Sequence, residues 1–222
     1  AKEEVTVANY RASIIKSLFN GMLAQRLDEL KNSTNPPFVY AAANVGGGWI
    51  RGWESFNAFA VCGTKQLKDA TEALVRESMR AKKFGFTAAE LERAKANTLA
   101  QYESMYNEKD KTESGQLVNE LVRHFLTKEP VPGIEWEYNF TKGALPGILL
   151  TEVNAVAKKI DIDNKFFALV AAKEDPALPN DAALLKWVAD EIKKPVSNYA
   201  ETKLASSLLS AEPAAGAVTK EE

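Results

Sequence analysis

The segment KKFGFTAAEL, residues 82–91, constrains the chain more than any other stretch, because it contains a helix stop and a helix start back to back. Gly85 follows the cations Lys82 and Lys83, as the residue just past a helix end should, since glycine takes up a positive φ without steric cost. Thr87 stands three residues before Glu90, so hydroxyl and carboxylate can each satisfy a free backbone N–H of the next helix, while Phe86 and Leu91 are spaced to staple its entry. A helix pair is therefore expected. Before the junction, Thr64 caps a helix running to Lys83 with Leu67, Ala70, Leu74, Val75 and Met79 turned inward. After it, Leu91, Ala94, Thr98, Tyr102 and Met105 recur on one face, with Glu92, Arg93, Lys95 and Glu103 turned elsewhere.

The remaining elements arrange themselves around that pair. Over residues 6–31, Tyr10, Ile14, Leu18, Phe19, Met22, Leu23, Leu27 and Leu30 make an apolar stripe about seven turns long, the mark of a principal core helix. NSTNPP ends it, because a proline cannot donate a helical hydrogen bond and pushes the residue before it out of the helical region. Residues 38–45 and 55–62 have the length of strands, and in the second Phe56, Ala58, Ala60 and Cys62 alternate with Asn57, Phe59 and Val61. GGGWIRGW between them reads as a wide hairpin connection. Asp110 and Glu113 repeat the capping-box spacing before Leu117, Val118, Leu121, Val122, Phe125 and Leu126, the strongest apolar face in the molecule. A shorter aromatic helix follows at 134–145, Thr151 caps another, and the apolar run KFFALVAA, residues 165–172, reads as a buried strand before a last helix at 181–193. The order implies an α+β domain, an antiparallel sheet covered on one face by helices.

Composition narrows function mainly by exclusion. Among 222 residues, 28 Lys and Arg against 30 Asp and Glu give a net charge of −2 with no basic block, which argues against a nucleic-acid backbone as partner. No apolar run approaches the roughly 20 residues that cross a bilayer. Cys62, the only cysteine, excludes an internal disulfide and sits where an inert, buried thiol is expected. His124 is the only histidine, at the flank of an apolar helix face, whereas catalytic zinc takes three protein ligands, so neither a complete zinc site nor a serine triad can be assembled from these residues. The pairs Glu90 with Glu92 and Glu135 with Glu137 are two apart on helices, point to different sides and are expected to be solvated. Gly46, Gly47 and Gly48 precede a strand rather than a helix, so they fit no phosphate loop. They are compatible either with a flexible hairpin connection or with close approach of a second backbone at a sheet edge.

QRLDEL in the first helix, NPPFVY, the hairpin, FGFTAAELERAK, YNEKDKTES and PVPGIEWEY occur in an order and at intervals that resemble the pitrilysin or insulinase-like zinc metallopeptidases. The resemblance spans residues 5–195, and its strongest stretch runs over residues 85–95. Members of that family are built from related α+β domains of the kind seen in mitochondrial processing peptidase, paired into halves that close around a peptide. One domain alone holds zinc, through an inverted His-x-x-Glu-His helix and a distant glutamate. Nothing in this chain matches that motif.

The resemblance therefore implies a metal-free second domain over residues 1–194, with residues 195–222 as an interdomain linker or tail. Zinc would belong to the parent enzyme and no cofactor to this chain. The implied partners are the zinc-bearing domain, the second half of the same polypeptide and a peptide substrate, in a parent that is a zinc metalloendopeptidase, with this chain alone inactive. Val45, Gly46 and Gly47, extended by Gly48, resemble a strand-edge exosite that captures a peptide by backbone pairing in insulin-degrading relatives. Tyr40 and Lys31 approximate the places of a substrate-facing tyrosine and arginine of the last domain, but lysine lacks arginine's bidentate fork and no catalytic role carries over. A bacterial periplasm or envelope is suggested by the style of the relatives. The rival expectation is a stand-alone interaction domain that kept the fold without protease activity.

Overall fold

The computed structural model describes residues 6–47, 53–200 and Gly216. The chain order is α1 (Val7–Lys31), β1 (Tyr40–Gly47), β2 (Glu54–Val61), α2 (Leu67–Phe84), α3 (Ala88–Asn107), α4 (Ser114–Thr127), α5 (Ile134–Ala144), α6 (Leu150–Ala157) and α7 (Asp181–Lys193), with 3-10 turns at Thr64–Gln66, Lys109–Lys111 and Leu145–Gly147. It is a helix-rich α+β fold with a two-stranded antiparallel sheet.

α1 begins where Thr6, extended, accepts a hydrogen bond from the Asn9 N–H at 3.1 Å, and it buries Ile14, Leu18, Phe19, Met22, Leu23 and Leu27. That stripe lies against one face of the hairpin. In the register Ala41 opposite Ala60, Ala43 opposite Ala58 and Val45 opposite Phe56, these six side chains share the face that packs into the core. Their alternates Tyr40, Phe59 and Val61 point to the other face and stay exposed. Small inward residues let a thick helix approach a thin sheet, and α6 completes the core with Val153 and Ala157.

The helix junction forms as its residues dictate. Thr87 accepts from the Glu90 N–H at 3.2 Å and Glu90 accepts from the Thr87 N–H at 2.7 Å. Gly85 has φ 70°, and a Cβ there would lie 2.5 Å from the Asn154 side chain, whose Oδ1 accepts from the Phe86 N–H at 2.8 Å. Conformation and crowding both exclude any larger residue at this point.

Several expectations fail, each for a physical reason. Residues 165–172 form no strand: the hairpin is the only sheet among the described residues, and an extended run without a ladder partner cannot make strand hydrogen bonds. Its Phe167 and Leu169 are 86% and 69% exposed rather than buried. Thr64 opens a 3-10 turn and α2 starts after Gln66, while Thr151 lies inside α6, whose first free N–H, that of Leu149, is met by Glu152 at 2.9 Å. Asp110 falls in the turn before α4, and Glu113, the N-cap, makes no side-chain capping bond. Met105 is 55% exposed, and α4 buries no residue at all.

Candidate functional site

The candidate residues lie along β1. An antiparallel ladder turns the N–H and C=O of alternate residues to opposite edges, and Val45 shows which residues face away from β2. Its N–H donates to Asn20 Oδ1 at 2.8 Å and its C=O accepts from Asn20 Nδ2 at 3.1 Å. A side-chain amide from α1 thus takes the place that a neighbouring strand's peptide group would fill. By alternation Ala43 and Gly47 turn their backbone groups to that same edge, while Gly46 turns toward Ser55. A Cβ at Gly47 would meet nothing within 4 Å, and at Gly46 only Asn44 Oδ1 at 3.8 Å. Neither glycine is required by crowding within the chain.

Tyr40 sits at the opposite end of β1, about 23 Å from Gly47 at strand rise. Its ring is half-exposed on the outer face of the hairpin, 5.8 Å from that of Phe59. The structure therefore places Val45, Gly46 and Gly47 at one end of β1 and Tyr40 at the other. Gly48 lies outside the described residues. Lys31 pairs with Asp28 within its own helix. The far end of the hairpin is tied down by an ion pair between Lys16 of α1 and Glu54.

Other chemistry is sparse. Burial pushes the Cys62 thiol up, away from the reactive thiolate. His124 is exposed, with Nδ1 2.6 Å from the Glu129 carbonyl. Among the described residues no three His, Cys, Asp or Glu side chains gather as metal ligands, and no helix is long and apolar enough to cross a membrane. The donor set does not fit zinc.

The most elaborate polar arrangement centres on Arg26, outside the residues singled out from the sequence. Arg26 is 2% exposed, and its Nε and Nη2 donate to the two Glu90 oxygens at 2.6 and 2.9 Å, with Nη2 also donating to the Gly85 carbonyl at 3.0 Å. The guanidinium lies 4.4 Å from the ring centres of both Phe86 and Tyr199. Glu90 is thus buried, not solvated, and Glu137 is half-buried with its carboxyl pushed up by burial and by the nearby Glu120. A signal for Arg26 was present: it lies four residues after Met22 and three after Leu23, a charge in the middle of the α1 stripe. Asn20 offered only the weaker hint of a polar residue beside that stripe. Arg26 and Glu90 fasten α1 to the α2–α3 junction.

The geometry can be compared with known proteins. No family profile matches the chain. A zinc protease PQQL-like of Arabidopsis thaliana is 31% identical over 155 residues, which is 70% of this chain and 13% of that protein. The crystal structure of the first half of the periplasmic protease PqqL from Escherichia coli superposes with TM-score 0.65 at 17% identity, covering 90% of this chain and 42% of that one. The structure of PqqL itself gives TM-score 0.65 with 23% of its length covered. A predicted insulinase family protease from Yersinia pestis gives 0.66 at 12% identity, over 86% of this chain and 41% of that one. The structural likenesses establish the fold, and this chain spans only a minor part of each of these proteins. With the sequence match over 70% of its length added, the chain is similar to one part of a zinc protease and shares the fold of insulinase-family proteases.

Proposed function

We propose that this chain is a noncatalytic domain of a zinc metallopeptidase, the second domain of a half, which walls part of a substrate chamber and packs against a zinc-bearing domain elsewhere in the parent polypeptide. The observation that carries the reading is a pairing of match and deficit: 155 residues similar to a zinc protease, in a chain whose single histidine is committed to a backbone carbonyl. Zinc and the water it activates would come from the parent. In this reading the substrate is a peptide that adds along the free edge of β1. Gly47 admits its backbone, Val45 exchanges its Asn20 partner for the peptide's own amide groups, Gly46 keeps the strand slim, and Gly48 extends the run. Tyr40 offers a half-exposed ring to a side chain farther along. An envelope location is part of the same reading, supported by the likeness to the periplasmic protease PqqL of Escherichia coli.

The parent reading frame tests the assignment. It should encode His-x-x-Glu-His, and the 222-residue chain with added zinc should show no peptide turnover. A frame without the motif would leave a stand-alone interaction domain, and chelator-sensitive turnover by this chain would overturn the noncatalytic role. For the edge, Gly47→Val should weaken capture of long peptides by the parent enzyme about tenfold or more while small-substrate turnover stays near wild type. Because a Cβ at Gly47 meets nothing within 4 Å, equal loss on both substrates would count against the edge.

A further inference from the structure

α4 carries six large apolar side chains, Leu117, Val118, Leu121, Val122, Phe125 and Leu126, each between 47% and 85% exposed. At about 100° per residue they sweep roughly half the helix perimeter, with Glu120, Arg123 and Thr127 behind. Such a stripe is wider than the seam that one partner helix covers in a coiled coil, and it matches a helix seated on a surface built from at least two elements. Its area is of the order of 500 Å², the size at which an exposed patch marks an interaction site. Two copies of α4 facing each other would bury only about 1,000 Å², the lower bound of a specific interface, and would leave the flanks of both stripes wet.

We propose that α4 is the docking element by which this chain joins the adjoining domain of its parent polypeptide, and that the adjoining domain presents an apolar groove two elements wide to receive it. The inference rests on the chamber-domain reading. The occupant follows from the width of the stripe and from the length of the relatives: the matched half of PqqL has 58% of its chain beyond the matched part, from 100% less the 42% covered, enough for a further domain in the same polypeptide.

Hydrogen exchange compares the 222-residue chain with the polypeptide of its full reading frame. The amides of α4 should exchange about 100-fold more slowly in the longer protein, and Leu121→Asp with Phe125→Asp should remove that protection. In the 222-residue chain the double variant should leave α1 exchange unchanged, because neither side chain is buried. Equal exchange of α4 in both proteins overturns the inference. So does a dimer of the 222-residue chain in sedimentation that the double variant dissolves, since the face would then belong to a second copy. A reading frame that lacks His-x-x-Glu-His yet protects α4 sinks the protease reading and leaves the docking inference standing.

Discussion

α3 and α4 are consecutive amphipathic helices with opposite fates. α3 opens with both halves of a capping box formed, seats Leu91 at 3% exposure and holds Glu90 in a buried ion pair with Arg26 of α1. α4 has the cleaner apolar stripe, yet its N-cap makes no side-chain bond and none of its residues is buried. The difference teaches what an amphipathic pattern states. It records that a helix is made to be covered, and it is silent on whether the cover lies in the same chain.

The contrast breaks most visibly at the ion pair. Arg26→Ala leaves the Glu90 carboxylate buried without its cation and should cost about 3–5 kcal/mol. Arg123→Ala on α4, whose exposed side chain reaches Glu129 at 3.2 Å, should change stability by less than about 0.5 kcal/mol. Urea titration of the two variants measures both, and similar midpoints would abolish the distinction. Leu91→Ala should follow with a loss of about 2–5 kcal/mol, against less than about 0.5 kcal/mol for Leu121→Ala in the same chain. A large loss at Leu121 would mean that α4 is covered within this chain after all.

Glycines sharpen the same comparison with a change of sign. At Gly85 alanine must adopt a positive φ and meet Asn154, so Gly85→Ala should cost about 1–3 kcal/mol or more. A Cβ at Gly115, inside α4, would meet nothing within 4 Å, and Gly115→Ala should stabilise by up to about 1 kcal/mol. Thermal denaturation gives both signs, and destabilisation at Gly115 would contradict the open surroundings described for α4.

What could be read from the sequence follows from range. The α2–α3 junction was legible because Gly85, Thr87 and Glu90 act within a few residues of one another, and the α1 stripe and the alternation of β2 because their periods are local. The KFFALVAA run misleads because an apolar extended segment becomes a strand only when an edge is available to it. Glu90 reads as solvated because its partner lies 64 residues away on α1, and the hold of Asn20 on Val45 spans 25 residues. For the site, the glycine run that ends β1 could be read from the sequence. The side-chain amide lying on the edge of that strand could not, since nothing local couples Asn20 to Val45.

The smallest effect is electrostatic and compares a carboxylate at the start of α6 with one inside α2. α6 is tied to α1: Arg11 donates to the Glu152 carboxylate at 2.6 and 2.9 Å, and the Leu149 N–H donates to it at 2.9 Å. These hydrogen bonds, that of Arg11 foremost, lower the Glu152 pKa from the usual 4.5 to about 2. A depressed carboxylate contributes stability that is present above the unfolded pKa and lost as pH falls toward the folded one, here between about 4.5 and 2. Both side chains are about one-third exposed, so screening by water and salt keeps the contribution below about 1 kcal/mol. Arg11→Ala should therefore flatten that acid limb and do nothing at neutral pH beyond the loss of the pair itself. Glu77 of α2 behaves oppositely: burial raises its pKa despite the Arg80 partner, so it weakens the fold as pH rises from the unfolded value through the raised one. Glu77→Gln should then lift stability selectively above pH 4.5, where the native charge is costly. If Arg11→Ala left the fall in stability between about pH 4.5 and 2 unchanged, α6 would not be anchored by charge, and its order would have to be credited to Val153 and Ala157 alone.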